Sequence, residues 1–297
     1  MSRLFVLLGA TAVGKSTMAI SVARSLECPI LSCDSRQFYR EMSIGTAVPS
    51  LKQRAQAHHY FIQDRSVQEP LSAGEYEKEA FSVLRDVYKV NNSAILVGGS
   101  GLYINALLYG MDDLPSNKAL REVLSQRAKT EGLRKLATEL KELDIDTFQA
   151  IDQSNPARVI RALEVSLLAG VPYSSLLTKS KTERDFKIIK IGLRAPRQEL
   201  YDRINLRVDQ MMVEGLEQEA RRVLPYRELS SLQTVGYREM FDYFDGRITR
   251  EQATELIKRN TRRYAKRQLT WMRPDTEIQW FDRDDFQPIM HYIDGID

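Results

Sequence analysis

A glycine-rich segment near the N-terminus sets the strongest limit on the fold of this chain. The apolar run of residues 4–8 leads directly into it, and apolar residues at helical spacing follow it. The segment matches the complete pattern G-x-x-x-x-G-K-S of a phosphate-binding loop. We predict a strand, loop and helix whose backbone N–H groups surround an anion. The loop consists of Gly9, Ala10, Thr11, Ala12, Val13, Gly14, Lys15, Ser16 and Thr17.

Two side chains of this loop have defined roles in such motifs. The ammonium group of Lys15 places a positive charge at the far phosphate, and the Ser16 hydroxyl is a ligand for Mg²⁺. The anion is either part of a nucleotide or another diphosphate, and the loop pattern alone is compatible with both.

The length and composition of the chain limit its class. With 297 residues and 43% hydrophobic residues, it holds one large α/β domain, alone or with a smaller lobe. Its net charge of +3 is small, so a nucleic-acid surface requires local clustering of basic residues. Cys28 and Cys33 lack zinc-site spacing and are interpreted as reduced core thiols. The absence of a signal-like or membrane-spanning apolar run predicts a soluble cytoplasmic protein with no membrane contact.

Two further strands end in polar loops. The strand at 29–33 is followed by Asp34, and the strand at 93–97 is followed by a loop with three glycines around Ser100. In an open parallel sheet, such loops meet at the crevice that contains the phosphate-binding loop. Asp34 is then a metal-linked carboxylate, a proton acceptor or merely the cap of a turn. The glycines by themselves indicate no more than a tight turn.

Residues 112–185 differ from the flanking sequence. Lys, Glu and regularly spaced Leu predominate, and no strand-like run is present. We predict an all-helical insertion domain at 112–185 within a core domain formed by 1–111 and 186–297. One of its helices begins with Asn155 as cap and Pro156 in the first turn, and ends near Gly170. Arg158 and Arg161 lie on one face of it, where they bind either a neighbouring carboxylate or phosphate.

Two helices of the C-terminal third carry basic residues that could bind an anion. The first begins near residue 197 and places Arg203 and Arg207 on one face, where they either clamp an oxyanion or pair with nearby carboxylates. The second, at 256–274, contains seven basic residues and no acidic one, which indicates an anionic polymer as partner. Its apolar residues Ile257, Tyr264 and Trp271 recur every seven positions and predict a narrow apolar seam on an otherwise basic helix.

Together and in order, the motifs resemble the tRNA dimethylallyltransferase family, also called tRNA isopentenyltransferases. The resemblance spans nearly the whole chain and identifies it as a bacterial-type member, because no Cys/His finger follows the basic helix. Family members commonly have Pro and Thr where this chain has Ala10 and Ser100. The matching segments are residues 9–16, 34–39, 98–103, 155–164, 235–238 and 265–271.

The resemblance implies a P-loop NTPase-like parallel sheet flanked by helices, and a prenyl transfer reaction. A dimethylallyl group would pass from its diphosphate to N6 of adenosine 37, beside the tRNA anticodon. Lys15, Mg²⁺ on Ser16, and Arg203 with Arg207 would neutralise the leaving diphosphate. Asp34 would accept a proton from the amine.

The resemblance also implies roles in binding the anticodon stem-loop. Ser100 would hold the base or amine in line, the residues after Asp34 would read the base edge, and arginines of the insertion would contact the stem or loop. The implied tRNA-binding residues are Asp34, Ser35, Arg36, Gln37, Ser100, Arg121, Ala157, Arg158, Val159, Ile160, Arg161, Gln233, Thr234, Val235, Gly236, Tyr237, Arg238, Arg262, Arg263, Tyr264, Ala265, Lys266, Arg267, Gln268 and Leu269.

Two other function classes compete with this interpretation. A P-loop kinase that phosphorylates a small metabolite with ATP needs only the phosphate-binding loop and Asp34, but it leaves the acid-free basic helix without a role. A nucleotide-gated RNA-binding switch without catalysis is weaker, because the Asn117-Lys118 pair lacks the Asp that guanine readers use. No sequence feature indicates a protein partner.

Overall fold

The computed structural model describes residues 1–178 and 182–296. The chain divides into two compact units. The core unit comprises Met1–Tyr109 and Glu183–Asp297, and the insertion unit comprises Gly110–Thr182. These bounds lie within a few residues of the boundaries expected from the sequence.

One six-stranded parallel sheet forms the centre of the core unit. Its strand order is β3-β2-β4-β1-β5-β6. Because β4 lies between β2 and β1, the loops at the carboxyl ends of these three strands are neighbours. The strands are β1 (Arg3–Gly9), β2 (Ile30–Ser32), β3 (His59–Tyr60), β4 (Ser93–Val97), β5 (Lys187–Arg194) and β6 (Gln279–Asp282).

Helices flank this sheet and, in the described residues, form all the regular structure of the insertion unit. Those of the core unit are α1 (Lys15–Ser25), α2 (Leu51–Arg54), α3 (Ala73–Val87), α4 (Gly101–Tyr109), α10 (Arg197–Glu214), α11 (Leu216–Val223), α12 (Tyr237–Phe244), α13 (Arg250–Met272) and α14 (Phe286–Asp294). Those of the insertion unit are α5 (Lys118–Arg127), α6 (Leu133–Leu143), α7 (Ile145–Ala150), α8 (Pro156–Ala169) and α9 (Tyr173–Leu176), with a π-turn at Ala128–Gly132.

The pleat of β1 explains how the sheet acquires two apolar layers. Leu4 and Val6 pack into one buried cluster, whereas Phe5 and Leu7 pack into another. Successive side chains of a strand point to opposite faces, so a continuous apolar run indicates a strand covered on both faces. The P-loop NTPase-like parallel sheet that the resemblance implies is confirmed.

The predicted helix ends at 155–170 are confirmed by local hydrogen bonds. The Asn155 side-chain oxygen accepts from the backbone N–H of Ala157 at 3.1 Å, and Pro156 occupies the first turn of α8. Gly170 ends the helix at φ 70°, a left-handed conformation that glycine adopts without strain.

The three residues of the predicted apolar seam differ in burial. Ile257 is buried, but Tyr264 is only half-buried and Trp271 is 36% exposed. A Cβ atom at Gly101 would lie 2.6 Å from the Trp271 ring, so this ring covers the N-terminal end of α4. The face of α13 that is buried instead consists of Ala253, Ile257, Ala265, Gln268 and Met272.

Within the described ranges, no helix is both long enough and apolar enough to cross a lipid bilayer.

Candidate active site

The phosphate-binding loop adopts a backbone conformation that depends on its glycines. Gly9 has φ 146°, and a Cβ atom there would lie 2.7 Å from the carbonyl oxygen of Leu193. Gly14, just before α1, has φ 116°. Lys15 folds back over the loop, and its Nζ donates to the carbonyl oxygens of Gly9 and Ala10 at 3.0 and 2.8 Å. A bound anion would replace these carbonyls as partner of the ammonium group.

The electrostatic environment of Lys15 favours binding of a negative charge. Burial lowers the pKa of Lys15 to about 8, the Asp34 carboxylate opposes this shift, and the Arg207 guanidinium adds to it. Desolvated cations close to one another repel, and this repulsion is relieved when an anion binds between them.

Arg203 and Arg207 of α10 face the phosphate-binding loop. The Nε of Arg203 donates to the carbonyl oxygen of Ala12 at 2.9 Å. Burial lowers the pKa of Arg207, the neighbouring Arg203 lowers it further, and Asp34 raises it. The carboxylates considered as alternative partners are engaged elsewhere, because Glu199 pairs with Arg283 and Asp202 accepts from Gln198.

Asp34 follows β2 and is half-buried. Burial raises the pKa of its carboxyl group, while the backbone N–H of Arg36 and the charge of Lys15 act in the opposite direction. The Arg36 N–H donates to Asp34 Oδ1 at 3.1 Å, so the carboxylate is also oriented. A fixed carboxylate with a raised pKa is suited to accept a proton.

Ser100 connects the loop after β4 to the loop after β2. Its Oγ accepts from the backbone N–H of Ser35 and lies within hydrogen-bond distance of the Ser35 Oγ, both at 3.0 Å. The structure therefore places Ser100 beside the Asp34 loop, with its hydroxyl bonded to Ser35.

Two cavities meet at Asp34. The first, of about 520 Å³, is lined by the phosphate-binding loop, Arg203 and Arg207. The second, of about 340 Å³, is lined by residues that precede α12 and by α13 residues between Ile257 and Arg267. The residues common to both linings are Thr11, Asp34, Thr46, Ala47, Arg207 and Met211.

The second cavity combines aromatic and cationic groups. Its lining includes Arg36, Arg238, Arg267 and Tyr264. The Arg267 guanidinium carbon lies 5.7 Å from the centre of the Tyr264 ring, and burial raises the pKa of Tyr264. Aromatic rings and guanidinium planes are the groups on which unstacked bases lie in RNA complexes. The expected residues Gln233, Thr234, Val235 and Gly236 also line this cavity.

Two glutamines expected on tRNA form hydrogen bonds within the protein. The Nε2 of Gln37 donates to the carbonyl oxygens of Thr46 and Ala47 at 3.0 and 3.2 Å. The buried Gln268 accepts from the Thr11 N–H at 2.8 Å and donates to the Gly99 carbonyl oxygen at 3.0 Å. A sequence motif marks such residues without showing whether their amides face inward or outward.

Several other members of the expected tRNA surface have buried side chains. Side chains in the core cannot contact RNA, and their place in the motifs reflects packing. The buried members are Val159, Ile160, Tyr237 and Ala265, and Leu269 packs against the core. In contrast, Arg158, Arg263, Lys266 and Arg267 are exposed.

Within the insertion unit, Glu164 binds the two half-exposed arginines of the expected tRNA contact. Arg121 and Arg161 reach this fully buried carboxylate at 2.9 and 3.1 Å, and the Asn117 N–H also donates to it at 2.7 Å. The sequence left open whether Arg161 has a carboxylate partner, and the structure shows one. Arg121 and Arg161 are positioned by Glu164, whereas Arg158 lies on the surface.

Sequence reasoning missed segment 43–47 and its anchor Glu219. Thr46 and Ala47 border both cavities. The only local signal is a glycine between hydroxyl-bearing residues, which is typical of many loops. Glu219 lies far away along the chain in a charged stretch, and nothing in that stretch distinguishes it from neighbouring glutamates.

The donor groups of the first cavity are compatible with one weakly held cation. Among residues 1–178 and 182–296, no group of three or more His, Cys, Asp and Glu side chains could hold a metal ion. The Ser16 hydroxyl and the Asp34 carboxylate line the cavity. Mg²⁺ commonly takes few protein ligands and completes its shell with phosphate oxygens and water, so these residues fit such an ion.

The chain is similar to known proteins over nearly its whole length. The tRNA dimethylallyltransferase of Christiangramia forsetii is 47% identical over 291 residues, which cover 97% of this chain and 96% of that relative. The tRNA dimethylallyltransferase of Cytophaga hutchinsonii is 45% identical, and the match covers 98% of this chain and 96% of that relative.

Solved structures show the same relationship. The tRNA isopentenylpyrophosphate transferase of Bacillus halodurans has a TM-score of 0.74 and 35% identity, covering 99% of this chain and 96% of that one. A eukaryotic dimethylallyltransferase acting on tRNA has a TM-score of 0.80 at 23% identity, and the match covers 97% of this chain and 75% of that one. At this identity the likeness shows the fold alone. The family model described as IPP transferase matches residues 37–275, and with these relatives it shows that the chain belongs to the IPP transferase family.

Proposed function

We propose that this protein transfers a dimethylallyl group from dimethylallyl diphosphate to N6 of adenosine 37 in tRNA. The observation that carries the proposal is the position of Asp34 on the shared border of two chemically different cavities. One cavity suits a diphosphate and the other suits an unstacked base. The curated relatives are named tRNA dimethylallyltransferases, which supports the same substrates.

In the proposed reaction, the amine nitrogen of adenine attacks the allylic carbon, and a carbon–nitrogen bond forms. The carbon–oxygen bond to the diphosphate breaks, and the diphosphate leaves with the electron pair. The amine proton passes to Asp34. An exocyclic amine is a weak nucleophile, because its lone pair is delocalised into the ring, and an oriented base near the nitrogen compensates for this.

The phosphate-binding loop would hold the leaving group. Lys15, Arg203 and Arg207 place positive charge where the diphosphate gains its negative charge, and charge stabilisation of this kind contributes strongly to catalysis. Mg²⁺ held through the Ser16 hydroxyl would neutralise further charge on the diphosphate.

The base would reach the second cavity by leaving the stack of the anticodon loop. Enzymes that modify a base take it out of the stack into a pocket. Tyr264 and Arg267 offer planar surfaces for it, and the exposed basic residues of α13 would bind backbone phosphates. Because tRNA is the substrate, we place the activity in the cytoplasm.

The test is mass spectrometry of nucleosides from tRNA incubated with the purified protein, dimethylallyl diphosphate and Mg²⁺. We expect one five-carbon unit on one adenosine, and none on a tRNA with guanosine at position 37. Phosphate transfer from ATP to a small alcohol, with unmodified tRNA, would support the kinase alternative. That alternative gives no role to the aromatic and cationic second cavity.

A further inference from the structure

Segment 43–47 forms a common wall of the two cavities. Ser43 and Ile44 line the first cavity, and Gly45 lines the second. Thr46 and Ala47 line both, together with Asp34. The position of this segment therefore affects the space available to each substrate next to the proton acceptor.

A single buried carboxylate binds the backbone of this wall. Glu219 of α11 is only 2% exposed. Its Oε2 accepts from the backbone N–H groups of Ser43 and Ile44 at 2.9 and 2.8 Å, and its Oε1 accepts from the N–H of Gly45 at 2.8 Å. The Tyr237 hydroxyl donates to the same Oε1 at 2.7 Å. Three consecutive backbone amides thus point at one charge, and such charge-assisted bonds are stronger than neutral ones.

The other side of the wall is tied to the loop of the proton acceptor. Gln37, three positions after Asp34, donates to the carbonyl oxygens of Thr46 and Ala47. The segment is consequently fixed between Glu219 on one side and the Asp34 loop on the other.

Gly45 leaves no room for movement of the wall toward α12. A Cβ atom at this position would lie 2.7 Å from the Tyr237 ring. Backbone and ring are therefore in direct contact, and the Tyr237 ring is itself held by its bond to Glu219.

The cost of burying Glu219 indicates that its geometry has a purpose beyond packing. Removing a carboxylate from water is unfavourable unless hydrogen bonds compensate for the lost hydration, and an apolar side chain would fill the same space without that cost. The carboxylate alone can order three successive N–H groups at once.

We propose that Glu219 is a positioning residue for the transfer reaction, which fixes segment 43–47 so that the two substrates meet at Asp34. The inference rests on the proposed function. Glu219 contacts neither cavity directly and acts through the backbone of the wall.

The experiment compares Glu219→Gln and Gly45→Ala with the control Glu217→Gln. Glu217 lies on the same helix, but it pairs with Arg221 and Arg250 on the surface. Glutamine has the shape of glutamate but turns one oxygen acceptor into a donor facing an N–H group. Alanine at 45 would press on the Tyr237 ring and displace segment 43–47, while the Glu219 carboxylate itself is retained.

We expect kcat for tRNA prenylation to fall at least about tenfold in both test variants, since small displacements of reacting groups cost one to two orders of magnitude. The tRNA Kd should stay within about twofold of the wild-type value because the basic surface is unchanged. Hydrogen exchange of residues 43–45, followed by mass spectrometry, should be faster in Glu219→Gln and unchanged in Glu217→Gln.

Unchanged kcat in Gly45→Ala, or equal exchange at 43–45 in Glu219→Gln and wild type, would overturn the inference. So would a loss confined to tRNA affinity. If Glu219→Gln does not fold, the kcat of Gly45→Ala still tests the inference. Failure of the wild-type protein to prenylate tRNA would instead refute the proposed function, and the exchange comparison would still report on the wall.

Discussion

Gln268 offers a direct test of how the basic helix is joined to the catalytic loops. Its amide links the Thr11 N–H of the phosphate-binding loop to the Gly99 carbonyl of the loop after β4. In Gln268→Ala both bonds are lost. Gly99 retains a longer bond from the Tyr264 hydroxyl at 3.4 Å, whereas the Thr11 N–H loses its side-chain partner.

The expected loss of stability in Gln268→Ala follows from these two hydrogen bonds. Each contributes about 1 kcal/mol net, and Thr11 is half-buried, so water can hydrate its N–H in part. We expect a loss of about 2 kcal/mol in the free energy of unfolding of the core unit, which lowers Tm by roughly 4–8 °C. Turnover should fall as well, because Thr11 borders both cavities.

Differential scanning calorimetry measures the shift, and filter binding at several salt concentrations measures tRNA affinity. Lys266→Ala is the matched control, since Lys266 is exposed on the same helix. It should leave Tm unchanged and reduce the salt slope of binding by about 1. An unaltered Tm in Gln268→Ala, combined with weaker tRNA binding, would refute the internal role of Gln268 and restore it to the RNA surface.

Three more perturbations test the site and the insertion. Asp34→Asn should reduce turnover by about 10²-fold or more without changing tRNA affinity. In the wild type, burial raises the pKa of Asp34, so kcat/KM should rise with pH above the ordinary aspartate range. A pH profile that is flat in that range would contradict this. The pKa of Lys15 is about 8, so its ammonium group is charged below this pH and neutral above it. Calorimetry should therefore show that the difference in diphosphate affinity between wild type and Lys15→Ala becomes smaller as the pH rises past 8. A difference that does not depend on pH would count against this role of Lys15. Glu164→Gln should destabilise the insertion unit by about 2 kcal/mol, which is less than for a fully buried pair because the arginines are half-exposed. Burial raises the pKa of Glu164, but the hydrogen bonds from Arg121, Asn117 and Arg161 lower it overall. The stabilisation is therefore present above the ordinary glutamate pKa and disappears in acid. Hydrogen exchange of 117–170 measures the effect, and unchanged exchange would exclude it.

The catalytic end of the sheet was predictable because strong local patterns mark it. The apolar run of β1, the glycines around Lys15 and the caps of α8 each depend on neighbouring residues, so the sequence indicates them directly. The meeting of Asp34 with the phosphate-binding loop follows from parallel strand geometry alone.

The remaining features depend on contacts between distant parts of the chain. The edge strand β6 is short and half-exposed, so it lacks an apolar pattern. The inward direction of Gln37 and Gln268 is set by partners that lie elsewhere in the fold. The same applies to Glu219, whose backbone partners lie more than 170 positions earlier in the sequence. Local periodicity contains no information about such pairs.

The shared border at Asp34 also suggests how the protein could be inhibited. A compound that carries a diphosphate mimic at one end and a purine at the other, joined by a few atoms, would occupy both cavities at once. Because the second end binds within the same molecule, its effective concentration is on the order of millimolar, and the joined compound should bind far more tightly than either half.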